Sequence, residues 1–166
     1  MPAFSLVVLV GATGAGKSTF AARHFRPTEV VSSDACRALV ADDEAAMDAN
    51  EDAFELVHTV VAMRLRRRLL TAVDATNLQA DGRRPLLDIA RAYACPAVAI
   101  VLDVAEAALV ERNLGRGRRE RPPGLVRTHV SRLRRSLGTI GGEGFEQVVV
   151  LRSVDEIDAA TVERRG

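Results

Sequence analysis

Apolar and polar positions along this chain fall into two alternating patterns. Five short runs are almost wholly apolar, rich in β-branched residues, and end on small or polar ones. They are "SLVVLV" (Ser5 to Val10), "EVVSS" (Glu29 to Ser33), "LTAVDA" (Leu70 to Ala75), "AVAIVLD" (Ala97 to Asp103) and "QVVVLR" (Gln147 to Arg152). Runs of this length without in/out alternation predict strands buried on both faces. The segments between them carry helical spacing. Lys17 to His24 reads as a helix, and Phe54, Val57, Val61 and Leu65 mark the apolar stripe of another running to about Arg68. Arg84 to Tyr93, Ala105 to Asn113, Leu125 to Leu137 and Glu156 to Arg164 supply the rest. Strands alternating with helices predict an α/β fold, a parallel sheet covered on both faces. No repeat, low-complexity tract or linker divides residues 1–166, so a single domain is expected. The one irregular stretch is "GRGRRERPPG", inside the domain, where Gly115, Gly117, Pro122 and Pro123 suggest a hinged lid.

Bulk composition narrows this little. The formal net charge is +1 and 48% of residues are apolar, which advertises neither nucleic acid nor a membrane span. Cys36 and Cys95 have no ligand or disulfide spacing and read as free thiols in a reducing cytoplasm. His24, His58 and His129 lie apart among apolar neighbours and offer no metal site. The charge is nevertheless segregated. Seven acidic residues and no basic one lie between Asp42 and Glu55, which suits a solvated helix start. Nine arginines face Glu120 alone between Arg112 and Arg135.

The most informative stretch follows the first strand. "GATGAGKS" matches G-x-x-x-x-G-K-[ST] at Gly11, Gly16, Lys17 and Ser18. Glycines let backbone amides converge on phosphate oxygens, and the helix that follows presents its unpaired N-terminal amides to the same anion. Lys17 is the only lysine beside 22 arginines. A compact ammonium is needed where phosphates converge, and the planar guanidinium fork does not replace it. Gly11, Thr13, Gly14, Ala15, Gly16, Lys17, Ser18 and Thr19 are therefore expected to bind a nucleoside triphosphate such as ATP, with Ser18 a direct ligand of Mg²⁺.

Further candidates lie at strand ends, where ligands collect in open α/β sheets. Asp34, in "SSDACR", is placed to accept a proton from a hydroxyl acceptor, although an aspartate there also fits a helix cap. Arg37 beside it suits an anion on the acceptor, and a polynucleotide has a phosphate just beyond its terminal nucleoside. Asp74, in "VDATN", suits the hydration shell of Mg²⁺, and Asn77 suits contact with the acceptor. Arg112 and Arg116 share one face if their helix persists, and would stabilise charge on a transferring phosphoryl group; Arg119 is a weaker candidate. With one tyrosine and no tryptophan, no platform for stacking several bases is available, so any nucleic acid binds by an end.

Taken together, "SLVVLVGATGAGKSTFAARHF", "PTEVVSSDACRALVADDE", "VDATN", "ERNLGR" and "VVVLRSVDEI" make the chain resemble the kinase module of bacterial polynucleotide kinase-phosphatase, an RNA end-healing and sealing enzyme. The resemblance covers nearly the whole chain. It implies an adenylate-kinase-like phosphotransferase fold with strand order 2-3-1-4-5, and transfer of the ATP γ-phosphate to the 5′-hydroxyl of RNA or DNA. It places phosphate and Mg²⁺ binding on Lys17 and Ser18, the general base on Asp34, the acceptor's 3′-side phosphate on Arg37, and the ATP phosphates under Arg112 and Arg116. Phosphatase and ligase-like modules would follow in the full-length protein, and the end at "TVERRG" is expected to be a domain boundary. No apolar stripe nominates a dimer face, which leaves a homodimer open. Two rivals share many of these features: a small-molecule kinase acting on a sugar acid or antibiotic, and a non-catalytic nucleotide-dependent RNA-binding module.

Overall fold

The computed structural model describes residues 1–117 and 121–166. Five parallel strands form one sheet in the order β2-β3-β1-β4-β5. They are β1 (Leu6–Gly11), β2 (Val30–Ser32), β3 (Thr71–Asp74), β4 (Ala97–Leu102) and β5 (Gln147–Leu151). Each expected strand is present, shortened or shifted by a residue or two at its ends. β1 is central, pairing from Leu6 with Thr71 on one side and with Ala97 on the other.

Because β1 is buried throughout, both faces of its pleat pack against helices. Leu6, Val8 and Val10 enter the core formed with α3 (Asn50–Arg66) and α4 (Ala80–Ala92). Val7 and Leu9 enter the opposite core, formed with α1 (Lys17–His24), α5 (Glu106–Leu114) and α7 (Val154–Ala159). Helix α6 (Pro123–Leu137) straddles the two, contributing Val126 and Val130 to one core and Leu133 to the other. The predicted stripe of α3 is buried at Val57, Val61 and Leu65, and Glu51 and Asp52 occupy its first turn as the acidic block requires.

Two helix boundaries need correction, and one helix adds to those expected. A helix that the apolar pattern did not define, α2 (Ser33–Ala41), follows β2; Ser32 caps it by accepting the Ala35 N–H at 3.3 Å. Helix α4 starts at Ala80 rather than Arg84 and carries Pro85 in its second turn, where the ring lacks only the N–H that would reach Asp81. The closing helix ends at Ala159, not Arg164. Beyond it the chain is extended, and Arg164 donates to both carboxylate oxygens of buried Glu29 at 2.8 Å, which holds the last residues against the start of β2.

Candidate active site

The phosphate-loop sequence leaves β1 at Gly11 and enters α1 at Lys17, at the C-terminal edge of the sheet. Gly14 and Gly16 have φ of +80° and +97°, conformations that side chains strain to adopt. The protein employs alternate amides of the loop. Gly11 N–H donates to Thr76 O at 3.0 Å, Thr13 N–H to His129 Nδ1 at 3.2 Å and Ala15 N–H to Ala12 O at 3.1 Å. The amides of Gly14, Gly16, Lys17 and Ser18 have no acceptor among the described residues. Clustered unpaired donors at a helix N-terminus are the chemistry a phosphate anion satisfies. A triphosphate therefore fits this donor set.

Lys17 is buried, with Nζ donating to Gly11 O and Ala12 O at 2.9 Å each. Burial lowers its pKa to about 8; the Asp74 carboxylate opposes the fall, the Arg116 guanidinium adds to it, and Asp34 opposes it more weakly. Ser18 Oγ donates to Asp74 Oδ2 at 2.7 Å, and Asp74 is itself buried at the end of β3, in register with Ser32. A hydroxyl and a carboxylate side by side, both hard oxygen donors, suit Mg²⁺. Thr19 is exposed on the same turn as Ser18.

Helix α5 does not persist to Arg116, as the shared-face expectation required. It ends at Leu114, and Arg116 lies beyond it. The two arginines nevertheless converge. Arg112 Nη1 donates to Gly14 O at 3.2 Å, and Arg116 Nη1 to Thr13 Oγ1 at 2.6 Å, on successive residues of the loop. Asn113 closes the base of the irregular stretch, accepting the Arg121 N–H at 2.9 Å and donating to Arg121 O at 2.7 Å. Arg119 lies outside the described residues.

Asp34 is not a cap, since Ser32 holds that position. It sits half-exposed in the first turn of α2, 2.8 Å from Arg37 Nη1. Arg37 is buried: Nη1 also donates to Glu44 O at 2.9 Å and Nη2 to Asn50 Oδ1 at 2.7 Å, while Nε is buried with no partner among the described residues. Asn77, in the left-handed region at φ +48°, is also buried, with its amide nitrogen donating to Leu9 O at 2.8 Å. That places its amide against the sheet, where it tethers the loop after β3 to β1.

A fully buried arginine, Arg83, was not singled out by sequence. Its guanidinium pairs with both carboxylate oxygens of Glu143, donates to Asn77 O at 2.7 Å, and reaches Ser136 Oγ at 3.2 Å. Ser136 Oγ in turn donates to Leu78 O. These bonds fix the loop that follows β3 to helix α6.

Residues 6–139 match the model of the AAA domain family, and the chain belongs to that family. The fold is that of P-loop kinases, which bind nucleotides, typically with Mg²⁺. Among solved structures, a chain of the Pnkp1/Rnl/Hen1 RNA repair complex is 27% identical with a TM-score of 0.71, over 84% of this chain and 47% of that one. This chain thus spans about half the length of that relative. A gluconokinase from Sinorhizobium meliloti 1021 is 19% identical with a TM-score of 0.58, over 93% of this chain and 85% of that one. The Mycobacterium tuberculosis APS kinase CysC, solved with AMPPNP and APS, is 20% identical with a TM-score of 0.53, over 68% and 70%. These last two likenesses are of fold. No curated protein matches the chain. Among the described residues no helix is long and apolar enough to cross a membrane.

Proposed function

We propose that the protein is an ATP-dependent polynucleotide kinase that phosphorylates the 5′-hydroxyl end of RNA or DNA in the cytoplasm. The observation that carries the phosphotransferase reading is the meeting of Lys17, the Ser18–Asp74 pair and the Arg112 and Arg116 guanidiniums at one loop. An ammonium for phosphates, a carboxylate for metal, arginines on the loop and an exposed carboxylate for the acceptor together make a γ-phosphoryl transfer site. The acceptor class rests on the likeness to the RNA repair chain and on Arg37, whose guanidinium stands 2.8 Å from Asp34.

Each residue then has a task. Asp34 takes the proton from the 5′-hydroxyl as its oxygen attacks the γ-phosphorus in line, and the β–γ bridging oxygen leaves with ADP. Lys17, Arg112 and Arg116 hold the charge that spreads over the transferring oxygens. Ser18 and Asp74 would hold Mg²⁺, which would supply neutralisation of the phosphate charge when bound. Phosphatase and ligase-like modules in a longer protein belong to the same reading.

One observation favours a second acceptor. The carboxylates from Asp42 to Glu55 lie on and beside α2 and α3, and Glu44 O and Asn50 from that belt engage Arg37. Negative charge there repels a polyanion and suits a small hydroxyl substrate.

Transfer of label from γ-³²P-ATP with Mg²⁺ separates them. The expected result is label on a 5′-hydroxyl RNA oligonucleotide, with none on its 5′-phosphorylated twin. Label on gluconate or another small hydroxyl compound, and none on RNA, would overturn the polynucleotide reading.

A further inference from the structure

The phosphate loop contains one peptide unit held at both ends. The Ala12–Thr13 peptide presents its N–H to His129 Nδ1 at 3.2 Å. Its carbonyl, Ala12 O, accepts from Lys17 Nζ at 2.9 Å and from Ala15 N–H at 3.1 Å. A trans peptide is planar, so its N–H and C=O point in opposite directions along one rigid unit. Fixing the N–H on one side therefore fixes where the carbonyl points on the other. The residue at the far end is Lys17, the ammonium of the loop.

His129 reaches this position from across the molecule, 116 residues away on α6. The helix uses the same side for a second task, since Ser136, two turns on, binds Leu78 O and Arg83. Thr13 is also gripped through its hydroxyl by Arg116. The crown of the loop is thus set from α6 on its backbone and from the arm beyond α5 on its side chain.

We infer that His129 is a positioning residue, which holds the Ala12–Thr13 peptide and thereby aims the Lys17 ammonium. The inference rests on Gly11–Ser18 being a nucleotide phosphate loop, and it is independent of the acceptor. To accept from an amide, Nδ1 must be unprotonated, with the ring proton of the neutral imidazole on Nε2. The surroundings favour that neutral ring. Burial, followed by the positive charges of Lys17 from α1 and of Arg132 and Arg121, lowers the His129 pKa to about 4. An imidazolium here would offer a donor to a donor and lose the contact.

Two measurements test this. In the unliganded wild-type protein at pH 7, long-range ¹⁵N–¹H correlation of the imidazole should show Nδ1 unprotonated and Nε2 protonated; a proton on Nδ1 would overturn the inference without any variant. Isothermal titration of Mg·ATP then compares His129→Leu, which keeps bulk, with His129→Asn, whose Oδ1 stands near Nδ1 and can accept the same N–H. Losing one buried acceptor should weaken ATP binding about tenfold in His129→Leu, with His129→Asn within about twofold of wild type. The Cε resonance of the single lysine gives a second readout, and it should move in His129→Leu and stay in place in His129→Asn. Equal weakening in both variants, or wild-type affinity and an unmoved lysine resonance in His129→Leu, would overturn the positioning role alone. A wild-type protein that binds no ATP would overturn the phosphate-loop reading and this inference with it.

Discussion

Ser18 and Asp74, 56 residues apart in sequence, share a 2.7 Å hydrogen bond at the C-terminal edge of the central strands. The hydroxyl at the first turn of α1 and the carboxylate at the end of β3 are therefore preset as a pair. Replacing Asp74 by Asn keeps the shape and removes the charge. Supporting groups of this kind are typically worth about 10- to 100-fold in metal affinity. Half-maximal activity of Asp74→Asn should need correspondingly more Mg²⁺, and an unchanged Mg²⁺ titration would remove Asp74 from the metal site.

Asp34 stands half-exposed beside Arg37 and caps nothing, so its loss should cost chemistry rather than folding. Asp34→Asn should lower kcat by about 10²- to 10⁴-fold, the usual contribution of a general base. Its ATP affinity and thermal midpoint should stay near wild type. A variant with full turnover would leave Asp34 as a surface partner of Arg37.

Lys17 gives nucleotide binding a pH dependence with a definite sign. In the unliganded loop burial lowers its pKa to about 8. Bound phosphates favour the ammonium, so the pKa rises on binding and the complex takes up a proton. ATP affinity should fall as pH rises above about 8. Calorimetry in buffers of different ionisation enthalpy should register the proton uptake. A flat affinity to pH 9.5 would contradict it.

His129 links acid pH to stability. Its folded pKa, lowered to about 4 by burial first and by Lys17, Arg132 and Arg121 after it, lies below the unfolded value of 6.5. Between those values the unfolded chain binds the extra proton, so stability falls as pH drops from about 6.5 to about 4. The full shift corresponds to about 3 kcal/mol. Urea midpoints across this window should decline less in His129→Leu than in wild type, and parallel declines would refute the linkage.

Arg83 offers the sharpest stability test. It is fully buried, and its partner Glu143 is nearly so. Removing one member of a buried pair typically costs about 3–5 kcal/mol. Arg83→Met should lower the urea unfolding free energy by that much. Adding Glu143→Leu should recover part of it, because no buried charge is then left alone. Additive losses in the double variant would show that the pair does not act as a unit.

The phosphate loop could be read from sequence because its chemistry is local, with glycines, lysine and serine at fixed spacing between a strand and a helix. The strands were equally legible, since double burial makes them apolar throughout. Helix α2 was harder: "SSDACR" carries three small polar residues that suit a turn as well as a cap, and only Ser32 bonding to Ala35 decides between them. The end of α7 was overread because "TVERR" continues the polar pattern, whereas Glu29, 135 residues away, draws Arg164 out of any helix. Arg83 and Arg84 are neighbours of the same type, yet one is fully buried and the other is 69% exposed at its side chain. No local pattern distinguishes them. The same holds for His129, whose apolar neighbours describe its helix and say nothing of Thr13.

The place of each strand in the sheet also divides the site by local stability. The phosphate loop hangs from β1, a fully buried strand bonded on both sides. Asp34 and Arg37 follow β2, a three-residue edge strand bonded to β3 alone. Segments with fewer bonded neighbours open at lower free energy than the centre of a sheet. Amide exchange should therefore be slow beneath the nucleotide and faster beneath the acceptor. The protein would keep its donor half intact through fluctuations that release and readmit the other substrate.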